Sequence, residues 1–129
     1  MAVIARCVLD EGGLTGFLTP DTAFPPGDFR DGYFDATVPR STYISKVEAL
    51  RRFVPAHASS LAALALKFVL HHPGITTALT SMHEQRFAAM NIDAAAEPAL
   101  DEETFRVLMF QHRFIKLSLI HISEPTRPY

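Results

Sequence analysis

Residues 2–9 read AVIARCVL and run straight into DEGGLTG at 10–16; farther along, HHPG at 71–74 leads into ITTAL at 75–79. Each apolar run is short, and each is ended by glycine or by small polar residues. That pattern predicts two buried strands. Helical patterns fill the text between them, and strand, helical crossover, strand is the grammar of a parallel βαβ unit, right-handed by rule. Two parallel strands close neither a sheet nor a barrel. No residue before Met1 provides a partner for the first run, so the chain is expected to open mid-strand and to be incomplete as a domain.

Between the strands, residues 41–54 (STYISKVEALRRFV) place Ile44, Val47, Leu50 and Phe53 or Val54 on one helical face. Residues 60–72 form a helix apolar almost all round, with Ser59 or Ser60 as N-cap and Pro73-Gly74 as its stop. A further helix is expected over residues 84–96, after a Thr80-Ser81 turn and cap. The last starts at Asp101 as N-cap, with Glu102 and Glu103 in its first turn and Leu100 and Phe105 set for a hydrophobic staple, and continues toward Phe114. Residues 19–39 hold Pro20, Pro25, Pro26, Gly27, Gly32 and Pro39, which excludes a regular element running through them. Phe24, Phe29, Tyr33 and Phe34 mark this long loop as one that packs onto something, a lid or a binding loop.

The whole chain has 129 residues, 48% hydrophobic and 20% charged, with 12 basic against 14 acidic side chains. Such a composition can bury a core. Its net charge of -2 gives no basic patch for nucleic acid, and no apolar run is long enough for a membrane span or signal core. The single cysteine, Cys7, cannot pair internally, which points to a reducing cytoplasm. Cys7 is read as a small core residue, and the acidic pair Asp10-Glu11 as structural hydrogen bonding. His57, His71, His72, His83, His112 and His121 show no metal-ligand spacing, and His71 and His72 read as donors at a helix C-terminus. Residues 115–129 (IKLSLIHISEPTRPY) break the pattern, and SLIHISEPTRPY resembles a translated sequencing-adapter read-through. Residues 1–114 are therefore taken as the folding portion and 115–129 as a non-native tail.

Two segments carry chemical interest. Gly12, Gly13 and Gly16 follow a parallel strand, where glycines permit close approach and exposed peptide N–H groups can receive phosphate. Residues 80–91 (TSMHEQRFAAMN) run from a strand end into a helix N-terminus that favours anions, with His83 and Arg86 nearby. In a parallel barrel both would open onto the same face.

These residues resemble the aldo/keto reductase family. VIARCVLDEGGLTGFLT is similar to the family's seventh-strand segment, of the form V-I-x-R-x-P-L-x-E-G-x-L-T-G-K. LAALALKFVLHHPGITTALTSMHEQRFAAMN is similar to its helix, eighth strand and terminal helix, and Met82 and Asn91 keep the family spacing. Leu100, Glu102 and Leu108 fit the helix that follows. The resemblance covers residues 2–114 and implies an α/β fold: the C-terminal part of a (β/α)8 TIM barrel, with two parallel strands and about four helices.

It further implies an NAD(P)H-dependent oxidoreductase that reduces aldehydes or ketones by hydride transfer, with NADPH as cofactor and NADH as the other candidate. Leu9, Asp10, Gly12, Leu14 and Gly16 match the pyrophosphate loop, and Ser81, Met82, His83 and Asn91 match the segment holding the adenosine end. The family's tyrosine, lysine, aspartate and histidine lie on earlier strands, so no catalytic residue is assigned here, and Tyr33, Tyr43 and Lys46 do not fill the gap. The partners implied are a nicotinamide dinucleotide and, in a full-length protein, a small carbonyl substrate. Phe17 stands where the family has lysine, Val8 where it has proline, and Thr80-Ser81 where it has Pro-Gly. Phe87 and Met90 stand where many members carry polar groups, leaving the choice between NADP and NAD open. The competing reading is a nucleotide-binding regulatory or interaction subunit of the same fold without catalysis.

Overall fold

The computed structural model describes residues 1–36 and 38–112. Strand β1 (Ile4–Ala5) pairs in parallel with β2 (Thr77–Ala78), Ile4 opposite Thr77 and Ala5 opposite Ala78. The Thr76 amide donates to the Val3 carbonyl and the Leu79 amide to the Ala5 carbonyl, both at 2.9 Å, which carries the ladder one residue past each end. The crossover between the strands holds a 3-10 turn (Gly13–Thr15), α1 (Arg30–Tyr33), α2 (Arg40–Ala49) with a tighter 3-10 turn at Leu50–Phe53, and α3 (Leu61–His71). After β2 come α4 (Gln85–Ala96) and α5 (Glu102–Gln111).

Helix α3 starts where the sequence places it, because the Ser60 hydroxyl accepts the Ala63 amide at 3.0 Å and satisfies one of the first-turn donors. Its side chains then enter two cores. Leu61 joins Leu18, Phe34, Tyr43 and Val47 on one side, while Ala63, Leu64 and Leu66 join Val8, Phe53, Ala94, Leu100 and Leu108 on the other. Each buried leucine contributes about 2 kcal/mol through the apolar surface it takes from water. Asp101 caps α5 as expected, its carboxylate accepting the Thr104 amide at 2.8 Å and the Thr104 hydroxyl at 2.7 Å. Leu100 and Phe105 are both buried beside that first turn.

Three expectations change. The strands are two residues each, far shorter than residues 2–9 and 75–79, and they are not buried: Ile4 is 61% and Leu79 60% exposed. A strand is covered only when elements flank both its faces and both its edges, and among the described residues β1 and β2 have only each other as strand partners. For the same reason Cys7 is exposed instead of lying in a core. Within the proline-rich loop a single helical turn, α1, does form. It is nucleated by Asp28, whose carboxylate accepts the Arg30 amide at 3.0 Å and pairs with the Arg30 guanidinium at 2.5 Å. Helix α4 matches the expected 84–96 to within one residue, but Glu84, and not Thr80 or Ser81, takes the N-cap position. The last helix ends at Gln111; Phe114 and residues 115–129 lie outside the described residues.

One buried charge binds the helices together. Lys67, on α3, is 8% exposed; its ammonium donates to the His57 carbonyl and to a Glu97 carboxylate oxygen at 3.2 Å. Glu97, just after α4, also accepts the Ser59 amide at 3.3 Å. The Ser59 hydrogen bond first, and the Lys67 ammonium after it, hold the Glu97 carboxyl below its usual value of 4.5 despite partial burial. A carboxyl depressed on folding contributes stability above its unfolded pKa, and that stability is lost as pH falls through the folded value. Glu97→Gln is therefore expected to lower the unfolding free energy near neutral pH by about 2–3 kcal/mol. In urea titrations the gap between variant and parent should close as pH is lowered below about 4.5, the usual value for this carboxyl.

Candidate functional site

Because β1 and β2 are parallel, the segments that leave their C-terminal ends, 6–16 and 79–91, emerge at the same end of the sheet. The first segment is a succession of tight turns. The Asp10 amide donates to the Cys7 carbonyl (2.8 Å), Gly12 to Leu9 (3.1 Å), Gly13 to Asp10 (2.9 Å), Leu14 to Leu9 (3.1 Å), Thr15 to Gly12 (2.9 Å) and Gly16 to Gly13 (3.3 Å). Three non-glycine residues here, Cys7, Asp10 and Glu11, take positive φ values of 53°, 49° and 55°, as do Gly12 at 92° and Gly16 at 79°. The glycines are thus needed for backbone shape. Yet the amides expected to stand open for phosphate are engaged within the loop itself.

Asp10 ties this loop to the crossover. Its two carboxylate oxygens accept the Tyr33 hydroxyl of α1 at 2.5 Å and the Tyr43 hydroxyl of α2 at 2.6 Å. Burial, and after it the Asp10 carboxylate, pushes both phenols far above their usual value of 10, so both remain donors at any physiological pH. The acidic pair at the strand end is structural, as read from the sequence, since Glu11 in turn accepts the Cys7 thiol at 3.4 Å. That hydrogen bond is the main reason the thiol titrates above its usual value of 9.0, the opposite of an activated nucleophile. Gly13 lies so close beneath this arrangement that a Cβ on it would sit 2.2 Å from the Tyr43 hydroxyl oxygen and 2.7 Å from the Phe34 ring.

The second segment is also drawn together. The Asn91 side-chain amide, on α4, donates to the Ser81 carbonyl at 3.2 Å, and the Ser81 hydroxyl meets the His83 Nδ1 at 2.8 Å. Ser81, Met82 and His83 are exposed and Asn91 is half-buried beneath them. Arg86 reaches back to Glu84 at 2.7 Å and lies over the Phe87 ring at 4.6 Å. Of the nine predicted site residues, Leu9, Asp10, Gly12, Leu14 and Gly16 fall in the first group and Ser81, Met82, His83 and Asn91 in the second, one group on each strand end. A cleft of about 160 Å³ between the glycine loop and α2, lined by Gly13, Gly16, Tyr43, Ile44 and Val47, is smaller than the several hundred Å³ that a cofactor fills. Among the described residues no cluster of histidine, cysteine and acidic side chains is placed to hold a metal ion, and no helix is long and apolar enough to cross a membrane.

Comparison with known proteins bears on the fold. No family model and no curated protein matches the chain. Among solved structures it is similar to the glycerol dehydrogenase AKR11B4 from Gluconobacter oxydans, an aldo-keto reductase, with a TM-score of 0.69 and 21% identity. The match covers 92% of this chain and 37% of that one. The fold is that of part of a (β/α)8 barrel. In such a barrel parallel strands are staves of one closed sheet.

Sequence reading missed the joint role of Tyr33 and Tyr43 as donors to Asp10. The only signal was an acid at a strand end followed by a loop rich in aromatics. The close approach at Gly13 gives a direct check. Gly13→Ala should cost about 3 kcal/mol or more in chemical denaturation, because rigid rings and backbone must move. Gly32→Ala, where nothing lies within 4 Å of the added methyl, should stay within about 0.5 kcal/mol of the parent.

Proposed function

We propose that this chain is the closing portion of a nicotinamide-dependent aldo/keto reductase and supplies the contacts to the cofactor, NADPH or alternatively NADH. One observation carries the reading: two loops with the family's residues leave adjacent parallel strands at the same end. That is where ligands sit in α/β barrels. Leu9, Asp10, Gly12, Leu14 and Gly16 would face the pyrophosphate, and Ser81, Met82, His83 and Asn91 the adenosine end. When bound, the nicotinamide supplies the hydride that reduces a small aldehyde or ketone to an alcohol. The chain's own residues bind and orient. Asn91 fixes the Ser81 carbonyl and Ser81 fixes the His83 ring, whose other nitrogen faces the Glu84 carboxylate at 3.5 Å, so a phosphate or ribose would meet this ring only by displacing that pair. The proton donor for the carbonyl belongs to strands outside the present sequence. Phe17, in the place of a lysine, removes a cation from the pyrophosphate side, so affinity rests more on the second segment.

Two measurements on the 129-residue chain test this. Titration followed by NADPH fluorescence should saturate, and Asn91→Ala should weaken the apparent affinity about tenfold, the loss of a hydrogen bond that positions a binding group; a titration with no saturable change overturns the cofactor assignment. Incubation with NADPH and a panel of aldehydes and ketones should give no NADPH oxidation, and clear turnover would show that the reactive groups are present after all.

A further inference from the structure

Between Cys7 and Gly16 two opposing features occupy the same few residues. The backbone is strained, with three non-glycine residues at φ values of 49° to 55°, a region that side chains with a Cβ rarely occupy. The same stretch is held from outside by two phenols, each brought by a different element, α1 and α2, and each donating to its own oxygen of Asp10. A conformation that is unfavourable locally persists only when its surroundings impose it. Here the imposing groups are Tyr33 and Tyr43, and what they impose is a state in which the Gly12, Gly13, Leu14, Thr15 and Gly16 amides all donate inward.

We propose that Asp10, Tyr33 and Tyr43 form a latch that keeps the 7–16 loop closed upon itself and its amides withheld from anions. Opening the latch relaxes the strained residues and turns the amides outward, an autoinhibitory arrangement built into the strand end. Tyr43 is well placed for this, being 3% exposed and packed against Phe34, so it reports the position of α2 to the loop. Only the identity of the ligand that is shut out rests on the cofactor reading above; the latch itself does not.

Amide hydrogen exchange across residues 9–17, read by mass spectrometry on the whole chain, tests it without any ligand. The combined variant Tyr33→Phe with Tyr43→Phe keeps both rings and removes both hydroxyls. It should raise exchange in this segment at least tenfold while leaving the α3 amides unchanged, and a change of less than twofold overturns the latch. Should the double variant loosen α3 as well, Tyr33→Phe alone decides the matter. Tyr33 is only half-buried and donates to one Asp10 oxygen, so α3 should stay protected while the loop exchanges about threefold faster, and unchanged loop exchange refutes the proposal. Addition of inorganic pyrophosphate to the double variant separates the two readings. Protection of the loop amides supports both, whereas faster exchange with no protection leaves the latch standing and removes the pyrophosphate role.

Discussion

The geometry of both strand-end segments depends on α3 having almost no side that faces water. Of its eleven residues only Leu70 is exposed, and the helix is shared between two hydrophobic cores, Leu61 serving one and Leu64 the other. One core lies under the glycine loop and α2; the other lies under α4 and α5. A helix shared in this way couples the two halves, because interiors packed to crystal-like density transmit displacement instead of absorbing it. Lys67 adds a polar constraint to the apolar one. A buried ammonium is tolerated only with its acceptors in place, so the His57 carbonyl and Glu97 are held at fixed positions beside α3. Glu97 follows α4 immediately, and α4 carries Asn91, so this buried charge sets the base from which the second segment is built.

Much of this was readable in the residues. The start of α3 at Ser60, the cap at Asp101 and the extent of α4 follow from local chemistry: a side-chain oxygen three residues before the amide it satisfies, and apolar spacing near 3.6. Parallel pairing followed from the helices between the strands. What failed was strand length and burial, since a strand's cover is supplied by elements remote in sequence, and a run such as AVIARCVL says only what it would tolerate, not what surrounds it. The one turn of α1 was hidden for a different reason, since its flanking prolines and glycines argue against a helix while a single Asp28–Arg30 pair is enough to close one turn.

The candidate site was legible as two groups of residues but not as an arrangement. Asp10 meets tyrosines 23 and 33 residues away, and no periodicity relates positions that far apart. The glycines signalled an unusual backbone correctly. Whether their amides point outward or inward is decided by the neighbours that hold the loop, and those neighbours are distant in the chain. Asn91 and Ser81, by contrast, are ten residues apart within the one segment 80–91 already singled out in the sequence, and the first turns of α4 bring them together.

Phe17 does more than end the glycine loop. Its ring stands edge-on to Phe24 at 6.2 Å and to Phe34 at 6.4 Å, so the residue that ends the glycine loop is also a clasp for the proline-rich segment that follows. A cation in that place would respond to ionic strength, its pull fading as counterions gather within about 10 Å. Contact between aromatic rings carries no such sensitivity and strengthens modestly with salts that are excluded from apolar surface. The ring contacts of Phe17 therefore supply a fastening indifferent to counterions beside the ion pairs of Arg30 with Asp28 and Arg40 with Asp35 in the same segment.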